Sequence, residues 1–193
     1  MSPKVYSARH HQGAVVPSDV VATGPIPSPP SDLEALKAEG GDSLTFDQFT
    51  VDDAWTLGLL LRRRLSQFAS EGKPTLISIA LANSRQVVFQ CAVGSGTAPD
   101  NEVWVARKRS AVLRWGCSTW MLHCKFRGDE ELFRAKYGMD AATAAGYAIH
   151  GGGVPVRVNG VEGVVAVVVV SGLKQHEDHG VIYEAVRGYW REV

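Results

Sequence analysis

The apolar positions of the chain follow two periods, and each change of period marks an element. Trp55, Leu57, Leu61, Leu65 and Phe68 recur at roughly helical spacing. Thr50 precedes them as a good N-cap, and Asp52 and Asp53 favour the helix dipole. Gly72 and Pro74 stop this helix. Residues 75–81 and 86–93 are rich in β-branched side chains, and Ala82-Asn83-Ser84-Arg85 joins them, which predicts a hairpin. Pro99, with Asp100 and Glu102 in the first turn, opens a helix expected to reach about residue 126. Its stripe is Trp104, Val112, Trp115 and Thr119, and Gly116 weakens its middle. Residues 129–137 predict a short helix closed by Gly138.

A second hairpin is expected from residues 153–158, an Asn159-Gly160 turn, and the run 161–170. Val165, Val167 and Val169 point to one face of that run, and Val164, Ala166, Val168 and Val170 to the other. A strand apolar on both faces is central and covered twice, by the chain's own helices and by further helix or a second subunit. The last helix starts near Lys174 and shows Ile182, Ala185, Val186 and Tyr189 at i, i+3, i+4 and i+7. Hairpins separated by helices indicate an α+β fold with an antiparallel sheet flanked by helices. Residues 1–43 form a Pro-rich N-terminal tail, partly extended or docked, in which Pro17, Pro25, Pro27, Pro29 and Pro30 interrupt any ladder. Residues 31–39 can form one short helix there, stopped by Gly40-Gly41. Residues 44–193 make a single domain.

Composition narrows the function classes. Twenty basic and twenty acidic residues leave no net charge, which argues against nucleic-acid or membrane-surface binding. The longest apolar run, 164–170, is too short for membrane insertion. Residues 1–12 lack the apolar core of a secretory signal, and three cysteines without a C-x-x-C pair fit a reducing, cytoplasmic setting.

Candidate chemistry clusters at both ends of the second hairpin. His150-Gly151-Gly152-Gly153 precedes it, and Ser171-Gly172 and His176-Glu177-Asp178-His179 follow it. The glycine loop is not the oxyanion loop of a lipase, because no G-x-S-x-G elbow exists. The histidines at 176 and 179 are three apart, which is not the zinc-protease spacing. Extending the last helix's stripe backwards lands on Asp178 and His179, at the N-terminus of its buried face. The dipole there disfavours imidazolium and leaves a ring able to meet a metal, a haem iron or a hydrogen-bond donor. The alternative is that both residues cap the helix and bond to the glycine loop. The three glycines serve either close packing on the last helix or an open floor for a ligand. Arg157 can bind a carboxylate, or pair with Glu162 or a neighbouring subunit. Arg62-Arg63-Arg64 is read as a solvated face, Cys117 and Cys124 as inert thiols on one helix face, and His123 as a surface residue.

Several of these segments together resemble the haem-degrading-domain superfamily of GlcG/HbpS-like proteins, in the branch of its uncharacterised bacterial and fungal members. The resemblance rests on Gly152-Gly153-Val154-Pro155-x-Arg157-Val158, Gly163-Val164-Val165, Ser171-Gly172-Leu173 and Glu177-Asp178-His179. Asp100-Asn101-x-x-Trp104-x-x-Arg107-Lys108-Arg109 and Tyr147-x-Ile149-His150 fit as well. It covers roughly residues 45–192 and implies a profilin-like domain that assembles into homo-oligomers, with haem or a metal ion as the expected cofactor. His179 departs from the pattern, since relatives carry an acidic residue after the Ser-Gly turn. Three expectations follow. The first is a cytosolic homo-oligomer holding a small ligand, haem or a metal at His150, Gly151, Gly152, Arg157, Asp178 and His179, with Asp178 and His179 as metal ligands. The second is a non-catalytic scaffold binding a protein partner. The third is an enzyme with His179 or His150 as general base.

Overall fold

A computed structural model of the chain describes residues 4–7 and 22–193. Residues 1–3 and 8–21, which hold Pro17 and most of the segment read for a secretory signal, lie outside the described residues. The elements are β1 (Val5–Ser7), α1 (Leu33–Ala38), β2 (Leu44–Phe46), α2 (Val51–Ser70), β3 (Thr75–Leu81), β4 (Val87–Val93), α3 (Pro99–Trp115), α4 (Thr119–Phe126), α5 (Glu130–Lys136), α6 (Ala141–Ala144), β5 (Gly153–Val158), β6 (Ala166–Ser171), α7 (Gln175–Tyr189) and β7 (Arg191–Glu192). They build an α+β fold around one sheet of strand order β4-β3-β6-β5-β2-β1-β7. The four strands β4, β3, β6 and β5 pair antiparallel, as the alternating patterns require. Beyond β5 the sheet turns mixed, because β2 lies parallel to β5 and β1 parallel to β2. These added strands are two or three residues long, too short to show a period of their own.

The central strand β6 is buried throughout. On one face Ala166, Val168 and Val170 join the core formed with Leu57, Leu61 and Leu65 of α2 and Ile182 and Val186 of α7. On the other, Val167 and Val169 pack with Val105 and Val112 of α3. The chain's own helices therefore cover both faces, and no second subunit is needed for β6. Aromatic packing of Trp115 with Phe133, Tyr137 and Tyr147 fastens α5 and the following loop to the end of α3.

Three local expectations are corrected. The second hairpin is not closed tightly by its Asn159-Gly160 turn. That turn does form, with the Val161 N–H donating to the Val158 carbonyl at 3.0 Å, but β6 begins only at Ala166. Its strands register Val156 against Ala166, and β5 continues instead along β2, where the Asn159 N–H donates to the Phe46 carbonyl at 2.8 Å. The expected helix to residue 126 breaks into α3 and α4. Gly116 takes the left-handed conformation at φ +67°, and Ser118 caps the new helix by accepting from the Met121 N–H at 3.1 Å. Trp55 is half exposed on α2, with its ring edge against Phe89.

Arg64 is not part of a solvated face. It is buried, donates from Nε to Glu184 at 2.6 Å, and reaches the Gly24 carbonyl at 2.8 Å. It thus ties α2, α7 and the Pro-rich strap 22–30 together. The Trp120 indole N–H donates to the Pro30 carbonyl at 2.8 Å and holds the strap's far end.

Candidate functional site

The N-terminal turns of α3 and α7 converge on one cavity of about 440 Å³, lined by Asp100, Asn101, Trp104, Lys108, His150, Ser171, Gly172, Leu173, Gln175 and Asp178. Its floor is a buried ion pair. Lys108 Nζ donates to Asp178 Oδ2 at 3.0 Å and to the Val170 carbonyl at 3.0 Å, and both side chains are 3% exposed. The Leu173 N–H donates to Asp178 Oδ1 at 3.0 Å, and the Gly172 N–H to Oδ2 at 3.4 Å. Burial pushes the Asp178 carboxyl above its usual range, while Lys108 and these two backbone N–H groups pull it back. An ammonium carries three N–H donors, so these two bonds leave Lys108 one for a cavity occupant.

The glycine loop explains how two charges fit under β6. Gly152 has φ +109°, and a Cβ there would strike the Val170 carbonyl oxygen and stand 2.7 Å from Asp178 Cβ and 2.8 Å from Lys108 Nζ. Only glycine allows this approach. Gly152 thus packs against the ion pair and Gly151 against the Gln175 carbonyl and the Trp120 ring, and neither lines the cavity.

His150 stands at the rim. Its ring meets the Trp104 ring edge-on, with centroids 5.0 Å apart, and Nε2 lies 3.2 Å from Glu130 Oε1. Arg107 stacks over Trp104 at 4.6 Å and donates to the Tyr147 carbonyl at 3.0 Å, so the rim is held from below. His123 is half-buried and not a surface residue. It stacks on Trp120 at 4.9 Å and lies near Gln175, and burial and the nearby His150 hold its pKa below the usual histidine range.

The structure separates residues that adjacency in sequence joined. His150 and Asp178 share the cavity, whereas His179 faces a second cavity on the other side of α7. Asp178 and His179 are neighbours on a helix and so diverge by about 100°. As arranged, they do not hold one ion together. Among the described residues no group of three His, Cys, Asp or Glu side chains is placed to bind a metal. Burial drives the His179 pKa down to about 3; the Gly41 backbone opposes this and the charges of Lys108 and Arg187 add to it. Arg157 faces neither cavity; it donates to the Gly116 carbonyl at 2.7 Å and serves the C-terminal end of α3. His176 also lines neither cavity. Cys117 lies in the α3–α4 link and not on one helix face with Cys124; burial pushes its thiol up to about 11, and Cys124 is raised too.

Among the sequence patterns Lys108 enters only within a family-like segment, with no role assigned to it. Its signal was present: Val105, Lys108 and Val112 stand at i, i+3 and i+7, so the lysine lies on the buried face. Asn101 and Gln175 carry no such signal, because their placement depends on how α3 and α7 meet.

The family described as "Haem degrading protein HbpS-like" matches residues 49–187. A UPF0303 protein of Streptomyces coelicolor is 40% identical over 146 residues, which span 76% of this chain and 86% of that protein. The crystal structure of the Ybr137w protein aligns with a TM-score of 0.69 at 32% identity, covering 80% of this chain and 86% of that one. A Klebsiella pneumoniae protein, ORFY, shares the fold at a TM-score of 0.55 and 15% identity, covering 72% of this chain and 89% of its own. The match runs from just before α2 almost to the end of α7, and so takes in every strand and helix that shapes the cavity: the chain belongs to the HbpS-like family.

Proposed function

We propose that the protein binds a small polar molecule in the cavity between α3 and α7. One observation carries this reading: a buried Lys108–Asp178 pair ends at a cavity with one ammonium N–H unspent. A carbonyl, amide or carboxylate oxygen would accept that N–H, and Asn101, Ser171 and Gln175 offer further polar contacts. Asp100 and Asp178 oppose a strongly anionic occupant. Acetamide and pyruvate are suitable probes of this chemistry. Titration of either should shift the NMR signals of the Trp104 indole and the Asn101 and Gln175 side-chain amides. If neither probe moves these signals at high millimolar concentration, the cavity is not a site for such oxygens.

Haem is the second reading, suggested by the family's description. His150 supports it, because a ligating imidazole commonly gives its other nitrogen to a carboxylate, as Nε2 does to Glu130 here. Trp104 beside it supplies an aromatic wall. The fit extends to one imidazole only, since no arginine lines the cavity to hold propionates. Bound haem would supply redox and oxygen chemistry, and this chain would contribute the His150 nitrogen and the Trp104 face. A Soret shift on adding haem, lost in His150→Ala and kept in His179→Ala, supports this reading. A shift that survives His150→Ala removes it.

In this reading residues 44–193 are the ligand-binding domain and residues 1–43 an appendage, because every residue lining the cavity lies between 100 and 178. Assembly into a homo-oligomer, with a surface for a protein partner, belongs to the same proposal and is read by light scattering. Three free cysteines favour a cytoplasmic setting. No described helix is long and apolar enough to cross a membrane.

A further inference from the structure

The Pro-rich strap 22–30 lies across α2, α7 and α4 and forms neither helix nor strand. Pro25, Pro27, Pro29 and Pro30 each fix φ at about −65°. Ile26, Ser28 and Pro29 precede prolines, which pushes them toward extended backbone. The run 25–30 is therefore stiffened toward a polyproline II course, and Pro27-Ser28-Pro29-Pro30 has P-x-x-P spacing.

The body holds this run by its backbone carbonyls and one side chain. Arg64 and Gln67 of α2 donate to the Gly24 carbonyl at 2.8 and 2.9 Å, and the Trp120 indole of α4 donates to the Pro30 carbonyl at 2.8 Å. Between these anchors Gly180 cuts a notch in α7. A Cβ there would strike the Pro27 carbonyl and stand 3.0 Å from Ile26 Cγ2. Ile26 is buried, whereas residues 22–25, 27 and 28 are exposed. Carbonyl acceptors met by an aromatic N–H, with an apolar side chain between prolines, are how folded domains read proline-rich peptides.

The groove is set by contacts that do not involve the strap. Glu184 holds Arg64 from Nε at 2.6 Å, His123 stacks on Trp120 at 4.9 Å, and the notch belongs to α7 itself. The segments on either side of the strap are anchored separately. β1 pairs with β2 and β7, and Leu36 of α1 packs with Trp120 and Met121. Lifting the strap therefore breaks only its own few contacts, and segments held in this way open locally. We propose that the groove across α2, α7 and α4 is a recognition surface for proline-rich peptides, and that residues 24–30 fill it in cis as a displaceable competitor. This rests on the partner surface in the function proposed above and is independent of what the Lys108 cavity holds.

Fluorescence anisotropy of a labelled peptide of residues 22–32, titrated with the full chain, tests this. A strap seated about 90% of the time makes a competing peptide bind about 10-fold more weakly. Ile26→Asp sets a carboxylate against the Gly180 notch and releases the strap, so this variant should bind the peptide about 10-fold or more tighter than the parent does. Adding Trp120→Phe removes one donor and should weaken that binding about 10-fold. A peptide carrying Ile26→Asp should not bind. Absence of binding to the released variant, or equal binding by variant and parent, overturns the proposal. Hydrogen exchange of the parent decides the matter if Ile26→Asp does not fold. The Trp120 indole N–H should exchange well before the buried amides of α7, and exchange only together with them would make the strap a fixed part of the domain and overturn the proposal. A homo-oligomer seen by light scattering, with no peptide bound, would remove this groove and leave the broader reading standing.

Discussion

Lys108→Met tests the ion pair under the cavity. The substitution keeps most of the buried stem and removes the ammonium, leaving Asp178 3% exposed with two backbone donors and no cation. Removing one partner of a buried pair costs about 3–5 kcal/mol. The carboxyl can limit this cost by taking a proton. With an unfolded pKa of about 3.9, holding Asp178 protonated at pH 7 costs about 4 kcal/mol, and at pH 5.5 about 2 kcal/mol. The variant should therefore lose about 4 kcal/mol at neutral pH. Its folded Asp178 pKa is raised further above the unfolded value, so the variant is penalised as pH rises. Relative to the parent it should regain about 1.4 kcal/mol for each unit the pH falls toward 5. Urea denaturation at several pH values reads both the loss and the slope. Adding Asp178→Leu should abolish the slope and restore much of the stability, since an apolar pair can replace a buried ion pair. If Lys108→Met matches the parent within 1 kcal/mol at pH 7 with the same pH dependence, Asp178 is solvated and the argument fails.

Two further perturbations probe the surroundings of that pair. His179 has a folded pKa of about 3 against about 6.5 when unfolded. Below 6.5 the unfolded chain binds a proton that the native chain refuses, so acidification from 6.5 to 5 should cost about 2 kcal/mol through this group. His179→Leu should flatten that part of the stability–pH curve, and an unchanged curve would show that the ring reaches water. Gly152→Ala places a Cβ against the Val170 carbonyl, Asp178 and Lys108 at φ +109°. It should cost more than about 3 kcal/mol in urea midpoint terms, and a shift below about 1 kcal/mol would mean that the loop is not seated as described.

Much of the fold was legible because burial leaves a period. The hairpin of β3 and β4 and the stripe of α7 appear in the sequence within a residue or two of their ends, and the doubly apolar β6 appears too, although it starts five residues later than its apolar run. The strands β1, β2 and β7 did not, since two or three residues carry no period. The break at Gly116 was half legible. A glycine weakens a helix, but what stops this one is the left-handed turn together with Ser118 capping and Arg157 binding the freed carbonyl. At the site, Asp178 and His179 were found by carrying the α7 stripe backwards, and both are buried. Lys108 is harder to read, because a lysine between two arginines shows its burial only through its spacing to Val105 and Val112.

The sequence by itself determined the α+β class, the central place of β6, and the burial of an acid and a histidine at the head of α7. These follow from local spacing, which a helix or strand converts directly into a face. Tertiary structure decided which residues share a cavity. Asp178 meets Lys108 across 70 positions of chain, and His179, one residue further on, turns toward a proline strap more than 140 positions upstream. A helix sends neighbouring side chains about 100° apart, so adjacency in sequence could not say that one faces a charge and the other a separate, largely apolar chamber.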